Sequence, residues 1–183
     1  MFRKLAAIAV QAFAIYVSLF LGDAIAQVPD ESLKLAVLDD MSGPYAENSG
    51  QGNVLAARMA IADFGGAMFG KPIELVSGDL QNKTDVGLAI ARKWFDIDHV
   101  DAILGMGSSG VALAVQRLAL EKNKITLATT PATAELTGKA CSPNSVHWVY
   151  DTYSLAKGAA TAGVRQGGRS WYFITADYAF GHA

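Results

Sequence analysis

Hydrophobic and polar positions alternate along this chain in blocks, short apolar runs taking turns with longer stretches at helical spacing. Leu33 to Leu38 (LKLAVL) is a continuous apolar run ending at Asp39-Asp40, which predicts a short buried strand. A loop from Met41 to Gln51 follows. A helix is predicted from about Asn53 to Phe64, with Val54, Ala57, Ile61 and Phe64 on one face and Gly65-Gly66 as its stop. The second strand is Ile73 to Ser77. Thr84 or Asp85 caps a second helix whose apolar face is Val86, Ala89, Ile90, Trp94 and Ile97. Val100 to Leu104 is the third strand, and Ser108 or Ser109 caps a third helix with Val111, Ala114, Val115 and Leu118 inward. Ile125 to Ala128 is the fourth strand, and Val146 to Tyr150 reads as another. A helix over about Tyr153 to Val164 and a strand at Trp171 to Thr175 complete the series.

Strands separated by helices of this length imply parallel βαβ units with right-handed crossovers, an α/β fold whose sheet is covered on both faces. The elements before about Ala140 suffice for one such lobe. One helix and one strand beyond Asp151 cannot bury a core of their own, so they read as the first elements of a second lobe.

The first residues change the picture of where this fold resides. Arg3 and Lys4 precede an apolar run from Leu5 to Leu21, and Ala24-Ile25-Ala26 supplies the small-residue pattern of a cleavage site. Residues 1–26 therefore read as a secretory signal peptide with Gln27 as the new N-terminus, and the alternative is an N-terminal membrane anchor. The apolar run also lifts the mean hydropathy to +0.24. Of the 183 residues, 51 % are hydrophobic and 17 % charged, enough for a core, and the formal net charge of −2 gives no basic excess for a nucleic-acid partner. Cys141 is the single cysteine, so an internal disulfide is excluded: it is a free thiol or pairs outside this sequence. The three histidines, His99, His147 and His182, are scattered, and no metal-ligand spacing appears.

Gly105 to Gly110 (GMGSSG) matches GxGxxG between a strand and a helix. It follows the third strand rather than the first, and the next strand ends in Thr-Thr without a carboxylate for a ribose, so a nucleotide cofactor is not expected. The same residues suit a small anion. Ser108 and Ser109 bring hydroxyls to a helix N-terminus beside free N–H groups, and the alternative is a plain N-cap on a tight turn. Thr129 to Thr137 follows the fourth strand and would face the same crevice, where Thr133 offers a hydroxyl and loop carbonyls offer acceptors; its alternative is an ordinary turn. Tyr45, after the first strand, reaches the same edge. Paired carboxylates, Ser/His/Asp and Cys/His sets are missing from any one neighbourhood, so the sequence points to binding without catalysis.

The signal peptide, Met-Ser-Gly-Pro-Tyr-Ala (41–46), the Gly-Ser-Ser turn and Glu-Leu-Thr-Gly (135–138) together resemble type I periplasmic binding proteins. More narrowly, they are similar to the branched-chain amino acid substrate-binding proteins of ABC transporters, as are Ser142 to Tyr153 and Thr175 to Gly181. The resemblance covers Leu33 to Ala183. It implies a Rossmann-like lobe over residues 27–150, with 151–183 as the hinge crossing and the start of a shortened second lobe. It further implies a periplasmic protein that captures an amino acid or small amide and hands it to a membrane permease. Ser109, with Ser108 beside it, would hold the ligand carboxylate. Thr133 and the backbone at Pro131 and Ala132 would hold the ammonium and carboxylate; Pro131 departs from the small residue expected there. Tyr45 would line the wall, and Tyr153 with Tyr178 or Phe180 would come from the hinge side. A receptor's ligand-sensing domain and a non-functional fragment are the alternatives. With half a cleft, the chain by itself is expected to bind amino acids weakly or not at all.

Overall fold

A computed structural model describes residues 32–183. The expected signal peptide lies outside these residues. The described elements are β1 (Lys34–Asp39), α1 (Gly50–Asp63), β2 (Ala67–Met68), β3 (Lys71–Pro72), β4 (Glu74–Asp79), α2 (Thr84–Asp96), β5 (Ala102–Gly105), α3 (Ser109–Glu121), β6 (Ile125–Ala128), a 3-10 turn (Ala134–Leu136), β7 (Ser145–His147) and α4 (Thr152–Arg165).

Five strands form one parallel sheet in the order β4-β1-β5-β6-β7. β1 pairs with β4 on one side (Val37 opposite Ser77) and with β5 on the other (Val37 opposite Leu104). The chain steps one way from β1 to β4 and the other way from β4 to β5 and β6. Right-handed crossovers therefore put α1 on one face and α2 with α3 on the other. The two-residue period of β1 serves both layers: Ala36 and Leu38 join the α2/α3 core, while Val37 packs with Val54 and Ala57 of α1. The reversal of strand order beside β1 leaves a crevice at the carboxyl ends of β1 and β5, where such sheets hold ligands.

Most predicted elements form, with differences that have local causes. The buried stripe of α2 is Gly87, Ala91, Trp94 and Phe95, rotated from the expected one; Ala89 and Ile97 are exposed. Gly87 leads because a Cβ there would meet Val111 of α3 at 2.5 Å, so the two helices approach at that point. Phe64, expected inward, is exposed at the end of α1. The expected strand at 146–150 is limited to Ser145–His147, and the β2–β3 hairpin was too short to leave a periodic signal.

The strand expected at Trp171 to Thr175 does not form. No strand among the described residues runs beside it, and an extended segment has no ladder without a neighbour. Tyr172, Phe173 and Ile174 are consequently exposed. α4 forms because its ends are fixed locally. Asp151 and Ser154 make a reciprocal capping box, and Gly168 and Gly167 donate back to the carbonyls of Gly163 and Val164 in a Schellman-type ending.

Candidate functional site

The loops after β1, β5 and β6 meet at the crevice. Asp40, fully buried, accepts from the N–H groups of Gly43 (2.8 Å) and Tyr45 (2.9 Å) and so shapes the loop that presents Tyr45. Asp79 at the end of β4 accepts from Met41 N–H and the Ser42 hydroxyl, tying down the same loop. Burial works to raise the Asp79 carboxyl, but the hydrogen bonds from Ser42, Met41 and Gln81 outweigh it and hold it below the usual range.

Asp39 ties the three loops together from beneath. Its carboxylate accepts from Gly107 N–H and from Asn53 Nδ2, each at 2.7 Å, and the same Asn53 amide donates to Thr130 Oγ1 at 2.8 Å. Burial pushes the Asp39 carboxyl up to about 6, opposed by the bonds from Asn53 and Gly107 and assisted by the charge of Asp40. Gly105 has a φ of +90°, and a Cβ there would lie 2.2 Å from Asp39 Oδ2, so the turn can pass over the carboxylate only as glycine.

Above this base lies an open cleft of about 360 Å³, its mouth included, lined by Tyr45, Asn48, Gly107, Ser109, Thr130, Pro131, Ala132, Tyr150, Tyr178 and Phe180. Ser109 opens α3; it is buried, lines the cleft, and its hydroxyl has no hydrogen-bond partner among the described residues. The first N–H groups of any α-helix lack acceptors within it. Ser108 holds the N-cap position without a side-chain bond to the helix, so its hydroxyl does not satisfy them. An anion in the cleft would meet unpaired donors and the positive end of the helix dipole.

The aromatic wall is joined across the chain. Tyr45 Oη and Tyr178 Oη are 2.5 Å apart, and Phe180 lies 6.1 Å from Tyr178 between ring centroids. Burial, then the bond to Tyr45, raises the Tyr178 phenol above its ordinary range.

Of the residues expected from sequence, Tyr45, Ser109, Pro131, Ala132, Tyr178 and Phe180 come together in this cleft. Ser108 and Thr133 are buried and do not line it; Thr133 Oγ1 instead accepts from Glu135 N–H at the start of the 3-10 turn. Tyr153 is 63 % exposed, and its hydroxyl accepts from Lys157. Asn48 and Tyr150 join without having been expected, while Gly107 and Thr130 come from the Gly105–Gly110 and Thr129–Thr137 stretches expected at the crevice, though neither is singled out there. Thr130 carried a signal in the Thr-Thr that directly follows β6, whereas Asn48 had none beyond its loop. No group of three or more metal-ligating side chains occurs among the described residues.

Residues 32–183 match the sequence pattern of the family described as periplasmic binding protein. The chain belongs to that family. This binding-protein lobe superimposes on a periplasmic binding protein from Burkholderia mallei with a TM-score of 0.81 and 46 % identity, over 85 % of this chain and 41 % of that one. A branched-chain amino acid ABC transporter periplasmic ligand-binding protein from Burkholderia xenovorans gives 0.72 and 41 %, over 82 % of this chain and 40 % of that one. An ABC transporter solute-binding protein from R. palustris, in complex with 4-hydroxybenzoate, gives 0.75 and 25 %, over 83 % and 41 %. The binding-protein lobe thus spans about two fifths of the length of these solved relatives. No curated protein matches it.

Proposed function

We propose that this chain supplies the first ligand-binding lobe, residues 27–150, of an extracytoplasmic solute-binding protein, with 151–183 leading into a second lobe. The solute is a small carboxylate, and delivery is to an ABC permease without chemical change. Amino acids and aromatic acids both meet that description, as the names of the Burkholderia and R. palustris relatives illustrate. The observation that carries the reading is the unpaired Ser109 hydroxyl at the open end of α3, lining a cleft walled by aromatic rings. A carboxylate seated there would cap the helix and gain charge-assisted hydrogen bonds.

The test is an NMR titration of the chain with benzoate and L-leucine, against their uncharged amides. Amide shifts are expected at Gly107, Ser109, Gly110, Thr130 and Ala132 with the carboxylates. Ser109→Ala is expected to weaken binding about tenfold, the worth of one charge-assisted bond. If no carboxylate shifts these amides at about 10 mM, where even millimolar affinity would show, the reading fails.

A further inference from the structure

Three consecutive residues of the cleft wall are each held by a hydrogen bond from behind. Thr130 Oγ1 accepts from Asn53 Nδ2–H at 2.8 Å, the Pro131 carbonyl from His147 Nε2–H at 2.7 Å, and the Ala132 carbonyl from Thr152 N–H at 2.7 Å. The last two bonds fix backbone. The first falls on a hydroxyl, which has one proton to give and two acceptor positions. An amide N–H can only donate, so Asn53 fills one acceptor position and leaves the Thr130 proton unused. That proton has no acceptor among the described residues. Thr130 lines the cleft and Asn53 does not, so a proton turned away from Asn53 is available to whatever the cleft holds.

Asp39 fixes which way the Asn53 amide faces. Its carboxylate oxygen lies 2.7 Å from Asn53 Nδ2, and the reversed amide would set oxygen against oxygen. The carboxylate is fully buried and is held again by Gly107 N–H, also at 2.7 Å, so the anchor is itself fixed.

We infer that Thr130 is a second hydroxyl donor to the solute carboxylate, beside Ser109, and that Asn53, braced on Asp39, is the residue that positions it. The inference rests on the carboxylate reading above. A carboxylate has two oxygens with several acceptor positions, so it can take both hydroxyl protons at once. Without Asn53 the Thr130 hydroxyl rotates freely, and Asn53 removes that freedom before the solute arrives.

The amide-shift titration with benzoate, run at pH 8 where Asp39 is charged, tests both roles. Thr130→Val keeps the shape and removes the hydroxyl, and is expected to weaken binding about tenfold. Thr130→Ser keeps the hydroxyl and should stay within about twofold of the parent. Asn53→Ala is expected to weaken binding about threefold or more. The double variant should bind no worse than Thr130→Val alone, to within about twofold, because Asn53 acts through that hydroxyl. Should Asn53→Ala not fold, Asn53→Ser takes its place, since its single proton serves Asp39 or Thr130 but not both. Additive losses would overturn the positioning role of Asn53. Lower stability to urea in Thr130→Val and Asn53→Ala with benzoate affinity unchanged would reduce their bond to a tie between loops and overturn the inference, while a loss in Ser109→Ala would leave the carboxylate reading in place. No shift in the parent at about 10 mM benzoate removes that reading, and this inference with it.

Discussion

Gly105 and Gly167 have nearly the same backbone angle, φ of +90° and +91°, in regions that could hardly differ more. Gly105 closes the turn above Asp39, where strand ends, loops and a buried carboxylate interlock. Gly167 ends α4 in open space, with no atom within 4 Å of where a Cβ would stand. Around Gly105, each element is held by others distant in sequence. Around Gly167, the helix is held by its own ends, through Asp151, Ser154 and the returning amides, while Leu155 and Val164 stay exposed. The same residue type, chosen for the same angle, is a tertiary requirement in one place and a local one in the other.

The two glycines give the sharpest way to break this contrast. Gly105→Ala must drive a methyl group into a carboxylate fixed by two hydrogen bonds, and about 3 kcal/mol or more of destabilisation is expected. Gly167→Ala meets only backbone strain, worth about 1 kcal/mol. Urea unfolding of both variants reads the difference directly. Equal losses would mean that the turn over Asp39 yields as freely as a helix end in solvent.

Asp39 itself gives the next largest effect. Its folded value of about 6 lies above the ordinary value of an unfolded aspartate. Between those values the folded chain binds the extra proton, so the stability linked to this group is greatest at acid pH. It is lost as pH rises through 6, a swing of about 3 kcal/mol at most. Asp39→Asn keeps an oxygen for Gly107 N–H and cannot ionise, so the variant is expected to gain on the parent as pH climbs from 4 to 7. Taking the difference between the two proteins at each pH removes the opposite slope from Glu74, Asp79 and Asp151, whose carboxyls are held low. Parallel stability curves would show that Asp39 does not carry its burial as a charge.

How far the sequence revealed each region follows the same division. β1, β6 and the start of α3 were legible because a continuous apolar run and a serine at a strand end are local signals, and the crevice followed from their order. The Asp39–Asn53–Thr130 chain was not legible, since its members are 14 and 77 residues apart and meet only once the sheet is built. In the sequence Asp39 only marks where an apolar run ends; its position beneath Gly105 depends on the pairing of β1 with β5. The engagement of Pro131 by His147 was hidden likewise, because β7 must lie beside β6 to bring the imidazole there. In the other region the error ran the opposite way. Trp171 to Thr175 has the composition of a strand, but composition cannot supply the neighbouring strand on which a ladder depends.

The smallest effect tests whether α4 stands on local chemistry. Asp151 Oδ1 accepts from Ser154 N–H at 2.7 Å, and the Ser154 hydroxyl lies within hydrogen-bonding reach of Asp151 N–H. Asp151→Ala removes the carboxylate half of the box, a loss of about 1 kcal/mol for an N-cap. If α4 is held by its ends, that loss stays in the helix: amide exchange speeds up from Ser154 through Lys157, while the sheet amides of β1 and β5 keep their protection. Among the described residues, Thr152 ties α4 to the cleft by hydrogen bonds, since its N–H reaches the Ala132 carbonyl and its hydroxyl accepts from Ala134 N–H. Exchange that also quickened at Ala132 and Ala134 would show fraying passing through Thr152 into the cleft wall, and the two regions would then be one cooperative unit.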